Sequence, residues 1–195
     1  MDSAFRPWLG LSSRFRLTCV TATTLRDYST DNCSIAGALG VLGEKWSLLV
    51  LRDAFNGVCR FDELYDRIGA PRQVLSARLA RLVDEGILRR VPYREPGQRQ
   101  RYEYRLTDKG RDLYPVLVAL MHWGDRWAGD PAGPPVTLRH RDCGADIRLV
   151  LHCDAGHELA GPREVTPGPG PGARPTAGSS STGRARGGPA GTAAH

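Results

Sequence analysis

Three groups of side chains in this 195-residue sequence have chemistry to offer, and the largest is basic. Nine arginines lie between Arg72 and Arg105, at positions 72, 78, 81, 89, 90, 94, 99, 101 and 105, against four acids, Asp84, Glu85, Glu95 and Glu103; this stretch holds +5 of the chain's net +6. A guanidinium presents a rigid fork of N–H donors that fits phosphate oxygens and the edge of guanine, so this concentration suits a polyanionic partner, although a merely solvated surface can carry the same excess. The second group is thiols. Five cysteines, at 19, 33, 59, 143 and 153, make an odd number with no Cys-x-x-Cys pair, unlike the even framework of a small secreted protein, and they fit reduced thiols in the cytoplasm. Cys33 stands where a helical pattern begins, and there a helix dipole can lower a thiol's pKa and prepare it for oxidation; a buried structural cysteine is the competing reading. The third group is His140, Cys143, Cys153 and His157, arranged as His-x2-Cys and Cys-x3-His. Each pair has spacing used for structural zinc, with chance pairing as the rival account.

Catalytic arrangements are not found. There is no glycine-rich phosphate loop after a strand, no H-E-x-x-H, and no Ser, His and Asp grouping with the spacing of a triad. No base lies near Cys33 or Cys59 in the sequence, which argues against a thiol-dependent enzyme. His122, on a helical stretch, reads as a solvated or interfacial side chain and not as a catalyst. The expectation is a binding protein and not an enzyme, without a cofactor unless the His/Cys pairs hold zinc. No run of eighteen apolar residues is present, so nothing is expected to span a membrane.

The elements that must position these groups follow from periodicity. Pro71 to Leu88 reads as one amphipathic helix, with Leu75, Leu79, Leu82 and Val83 on one face and Arg72, Gln73, Ser76, Ala77 and Arg81 turned away from it. Pro71 suits the first helical position and Gly86 ends the regular part. Two alternating runs around Glu95, Pro96 and Gly97 then read as a β-hairpin, with Arg94, Arg99 and Arg101 near its tip. Upstream, Ser34 to Leu42 and Glu44 to Phe55 are helical, the second with Trp46, Leu49, Val50 and Phe55 as its inner face. Arg60 to Ile68 puts Phe61, Leu64, Tyr65 and Ile68 on one side and joins the basic helix through a short Gly69–Ala70 turn, the spacing of a helix-turn-helix. Thr107 can cap a helix from Asp108, on which Leu113, Val116, Leu120, Trp123 and Trp127 recur at three, four, three and four residues. That seam fits a partner helix from a second subunit or packing within the monomer.

The fold class expected is mainly α with a small β-hairpin wing (α+β), a winged helix-turn-helix with a C-terminal dimerisation helix. Residues 1–30 read as a flexible extension or as the product of a start codon assigned too far upstream. Residues 33–130 form the DNA-binding and dimerisation domain, and a linker leads to a small hairpin at 136–160. Residues 161–195, rich in Gly, Pro, Ala, Ser and Thr, are expected to be disordered.

Several of these stretches occur in a recognisable order. CSIAGALGVLGEKWSLLVLRDAFNGVCRFDELYDRIG places a cysteine before a short helix and a G-x-K-W motif before the next; VLSARLARLVDEGILRR follows, then YRLTDKG. From Cys33 to about Asp130 the sequence resembles the HxlR-type family of bacterial winged helix-turn-helix transcriptional regulators, similar in layout to MarR-like proteins. The resemblance implies a homodimer that binds operator DNA and represses or activates nearby genes, its reading helix and wing being the second and third stretches. It implies oxidant or electrophile sensing at Cys33, as in some members, while others answer to unknown ligands or to none. It also implies a C-terminal segment that starts H-x-x-C-G and ends C-x-x-C-G; His140 and Cys143 match the start, whereas Gly156 stands where the last cysteine would be and His157 follows it. A winged-helix module that binds protein instead of DNA is the alternative function.

Overall fold

The computed structural model describes residues 28–176. They belong to two units, Cys33–Ala160 and a second one in which residues 28–32 and 161–176 are the described parts.

The larger unit runs α1 (Ser34–Leu42), α2 (Lys45–Phe55), α3 (Phe61–Ile68), α4 (Arg72–Asp84), β1 (Leu88–Tyr93), β2 (Arg101–Leu106), α5 (Asp108–Arg111) and α6 (Tyr114–Trp127). Its core is built where the helical period places leucines on one side: Leu75, Leu79 and Leu82 of α4 meet Val50 and Leu51 of α2, Leu64 and Ile68 of α3, and Ile87 and Leu88 at the root of the wing. β1 and β2 pair antiparallel from Leu88↔Leu106 to Tyr93↔Arg101, the expected hairpin. A further bridge, Arg60↔Glu103, and the bond from Tyr104 N to Cys59 O at 2.7 Å attach the segment before α3 to the edge of the wing.

Several boundaries and faces differ from the sequence expectations. Pro71 is the cap that precedes α4 and not its first helical residue, and the helix closes at Asp84, before Gly86 turns the chain with φ 68°. The face α2 buries is Ser47, Val50, Leu51 and Asp53, while Trp46, Leu49 and Phe55 are only half-covered. α2 packs against both α3 and α4, so its buried stripe centres on Val50–Leu51 and takes in polar residues that hydropathy alone assigns to solvent. Tyr65 of α3 is partly exposed at the edge of the core, where it stacks with Phe61.

The helix expected from Asp108 is two. Thr107 Oγ1 accepts from Gly110 N at 3.1 Å and caps the single turn α5; the chain then breaks before α6, whose first turn contains Pro115. Proline lacks the N–H that would continue a preceding helix but fits the first turn of a new one. Gly110 is required for a different reason. A Cβ there would lie 2.3 Å from the carbonyl oxygen of Ile87, where the turn presses on the root of the wing.

Residues 136–160, expected as one small hairpin, contain no strand longer than a single bridge. Two separate turns occur, closed by the isolated bridges Arg139↔Asp146 and His152↔Glu158. Gly144 and Gly156, at φ 70° and 82°, fold each turn back on itself, so the backbone bonds are local and no ladder links the two.

In the second unit Tyr28 bridges Pro175, Ser29 N donates to Arg174 O at 2.7 Å, and Pro162–Glu164 make a 3-10 turn. Residues 1–27, with Cys19, and 177–195, with His195, lie outside the described residues.

Candidate nucleic-acid interface

The helix-turn-helix is formed where Gly69, in the left-handed region at φ 69°, caps the end of α3 and Pro71 caps the start of α4. Because Leu75, Leu79 and Leu82 are completely buried, Arg72, Gln73, Ser76, Ala77 and Arg81 are left exposed. Arg78 is instead half-buried and pairs with Glu44 at 3.7 Å, and Arg81 pairs along its own helix with Glu85 at 3.0 Å. Arg72 lies over the rings of Phe61, 4.7 Å from its centroid, and Tyr65, at 5.7 Å, with the Asp62 carboxylate 3.8 Å away.

On the wing, Arg94 donates to Gln98 O at 3.1 Å and stiffens the tip, while Arg99 is exposed. Arg101 Nη1 donates to Asp62 Oδ2 at 2.9 Å. One carboxylate of α3 thus faces an arginine from the basic helix and another from the wing. Arg105 serves the fold instead, binding Glu103 together with Arg60; Glu103 is the one acid on β2, and its side chain is nearly covered. The hydrogen bond from Arg105 holds the Glu103 carboxyl below the usual carboxylate range. Arg60 also reaches Glu95 at 2.9 Å and stacks on Tyr93. Burial pushes the neighbouring Cys59 thiol up, and the charge of Glu103 adds to the shift.

Sequence reasoning missed Arg60, Asp62 and Glu103. The available signal was Glu103 itself, a lone acid in the basic strand RYEYR at an inward-facing position of the alternation.

An uncharacterised HTH-type transcriptional regulator of Mycobacterium tuberculosis is 51% identical over 142 residues, which are 71% of this chain and 87% of the relative. The chain belongs to the HxlR-like helix-turn-helix family. The family's model matches residues 41–131. A regulator of the same description from Synechocystis is 40% identical over 96 residues, 49% of this chain and 70% of its own. Among solved structures, the HxlR-like chain is similar to PA1607, described as a transcription factor, with 43% identity, a TM-score of 0.60 and coverage of 67% of this chain and 90% of that one. A second, from Pseudomonas aeruginosa, has 35% identity and a TM-score of 0.51, over 73% and 95%. The fold is a winged helix-turn-helix, α+β as expected.

Elsewhere in the HxlR-like chain the remaining candidate residues lie on α6, at the start of α1 and between residues 140 and 157. Val116, Leu120, Trp123 and Trp127 of α6 are 45%, 48%, 62% and 66% exposed, whereas Leu113 is half-buried against the core. The Leu113 carbonyl accepts from Leu117 N at 3.1 Å, and both side chains pack on the core. Ile35 and Leu39 of α1 are likewise exposed. Cys33 caps α1 and is exposed, not buried.

The zinc candidates form two pairs, His140 Nδ1 to Cys143 Sγ at 3.3 Å and Cys153 Sγ to His157 Nδ1 at 3.5 Å. Among the described residues no group of three or more His, Cys, Asp or Glu gathers as a metal site. A structural zinc is held by four donors in a tetrahedron, and each pair brings two together. Among those residues, too, no single helix is long and apolar enough to cross a membrane.

Proposed function

We propose that this protein is a dimeric, sequence-specific, DNA-binding transcriptional regulator of the cytoplasm. The observation that carries the reading is the division of α4, where a fully buried leucine face leaves Arg72, Gln73, Ser76, Ala77 and Arg81 outward beside a basic wing. An exposed helix of this kind fits the major groove, where arginine can bond guanine and glutamine adenine through paired hydrogen bonds, and the wing arginines Arg94, Arg99 and Arg101 suit phosphates or the minor groove. The exposed α6 seam of Val116, Leu120, Trp123 and Trp127 is a surface for a second subunit, with Leu113 supporting it from the core. Two subunits would present two reading helices to a two-fold-related site. Exposed Cys33 would be the contact for oxidants or electrophiles.

The reading is tested by fluorescence anisotropy with duplex DNA over a series of salt concentrations. Binding should weaken steeply with salt, and Arg99→Ala should lower the magnitude of the slope by about 0.9. Arg72→Ala and Gln73→Ala should relax sequence preference, at about 1 to 3 kcal/mol per lost base contact. A protein showing no salt-sensitive complex with any duplex would be a protein-binding module and not a DNA-binding one.

A further inference from the structure

We infer that Asp62 is a specificity-determining positioning residue that holds Arg72 and Arg101 away from phosphates on DNA of arbitrary sequence. The inference rests on the DNA-binding reading above and deepens it.

Asp62 sits in the first turn of α3, with one oxygen 2.9 Å from Arg101 Nη1 and the other 3.8 Å from Arg72 Nη2. The two arginines come from the two elements that offer positive charge to DNA, the start of α4 and the return strand of the wing. Arg72 is fixed further by the aromatic platform beneath it, where Phe61 and Tyr65 stack at 6.5 Å. Asp62, Arg72 and Arg101 are all exposed. An exposed ion pair contributes little to stability, so fold stability does not account for the cluster. Exposure does mean that a phosphate oxygen can compete for either guanidinium, and a carboxylate among DNA-facing groups repels phosphate.

Specificity is a difference between affinities, and it grows when the wrong complex is made worse. On random DNA a phosphate must displace Asp62 and gains only a screened charge contact. At the correct site the fork of Arg72 gains a base edge, which outweighs release from Asp62. The acid therefore weakens non-specific binding more than specific binding. It also ties the wing to the reading helix, because both arginines share one partner.

The test is anisotropy of the full chain with a labelled duplex of random sequence and with a duplex enriched by selection against the natural protein. Asp62→Asn should tighten binding to the random duplex roughly fivefold. Each arginine freed for phosphate should steepen the salt slope by about 0.9, to a total of about 1.8. The selected duplex should gain less, so the ratio between the two falls. Glu63→Gln removes the same charge from the same turn but touches neither arginine, and it controls for bulk electrostatics. Equal gains in the two variants, or an Asp62→Asn protein with unchanged affinity and slope, would overturn the role of Asp62 while leaving DNA binding intact. Absence of any salt-sensitive complex with the natural protein would overturn the DNA-binding reading, and this inference with it.

Discussion

Arg60 and Glu103 join the start of α3 to the middle of the wing, the guanidinium Nε lying 3.4 Å from a carboxylate oxygen. The two residues also face each other in a backbone bridge, so side chains and main chain fix the same geometry. Because Arg105 binds the other oxygen, Glu103 sits between two cations, and its charge is what keeps them together.

This arrangement makes wing attachment pH-dependent. The folded-state pKa of Glu103 is depressed, so the stability it contributes is present above the unfolded value, near ~4.3, and is lost as pH falls through the folded value. Thermal unfolding of the natural protein and of Glu103→Gln should differ at neutral pH and converge in acid. A constant gap across that range would show that the charge of Glu103 is not the source of the effect.

Asp53 should matter to the fold more than its polarity suggests. Its side chain is fully buried, and it accepts from Arg52 at 2.9 Å and from Arg67 at 3.3 Å, linking α2 to α3. Both arginines are about half-exposed and can rehydrate, so Asp53→Ala should cost about 1.5 to 3 kcal/mol in urea unfolding, the range for hydrogen bonds to charged groups. A loss below about 0.5 kcal/mol, the size of an ordinary surface substitution, would mean the clamp contributes nothing.

Association is predicted to run through α6. The natural protein should sediment as a dimer at micromolar concentration, and Leu120→Glu with Trp123→Glu should yield a monomer with weakened DNA binding. Leu113→Ala acts differently, because that side chain packs on the core: it should lower stability by about 2 kcal/mol, the low end for leucine truncation, while leaving folded dimers associated. A natural protein that sediments as a monomer would remove α6 as an interface.

The two thiols of the winged-helix head should react at different rates. Cys33 is exposed, whereas the Cys59 thiol is raised by burial and by Glu103, so a mild alkylating agent should modify Cys33 first. If Cys33 is the sensing group, peroxide should change DNA affinity in the natural protein and not in Cys33→Ser. Equal responses would place the oxidation elsewhere.

The sequence by itself determined the order of elements from α1 to the wing and the orientation of α4. Those follow from local rules: leucines at helical spacing must share a face, glycine permits the left-handed turn at Gly69, and alternation around Pro96–Gly97 makes a hairpin. Nothing local could have placed Ser47 and Asp53 in the core, since their burial depends on α2 being covered by α3 and α4 together. Gly110 was legible only as a weak helix former, and its close approach to Ile87 exists only after the wing has folded onto the following turn. The His140–Cys143 and Cys153–His157 spacings were visible, yet whether two pairs converge depends on how separate turns pack. Asp62 shows the same limit: ten residues from Arg72 and thirty-nine from Arg101 along the chain, it meets both only because α3, α4 and the wing fold around one core. Spacing fixes which side of its own element a residue occupies, and tertiary packing alone decides which charges from different elements share a partner.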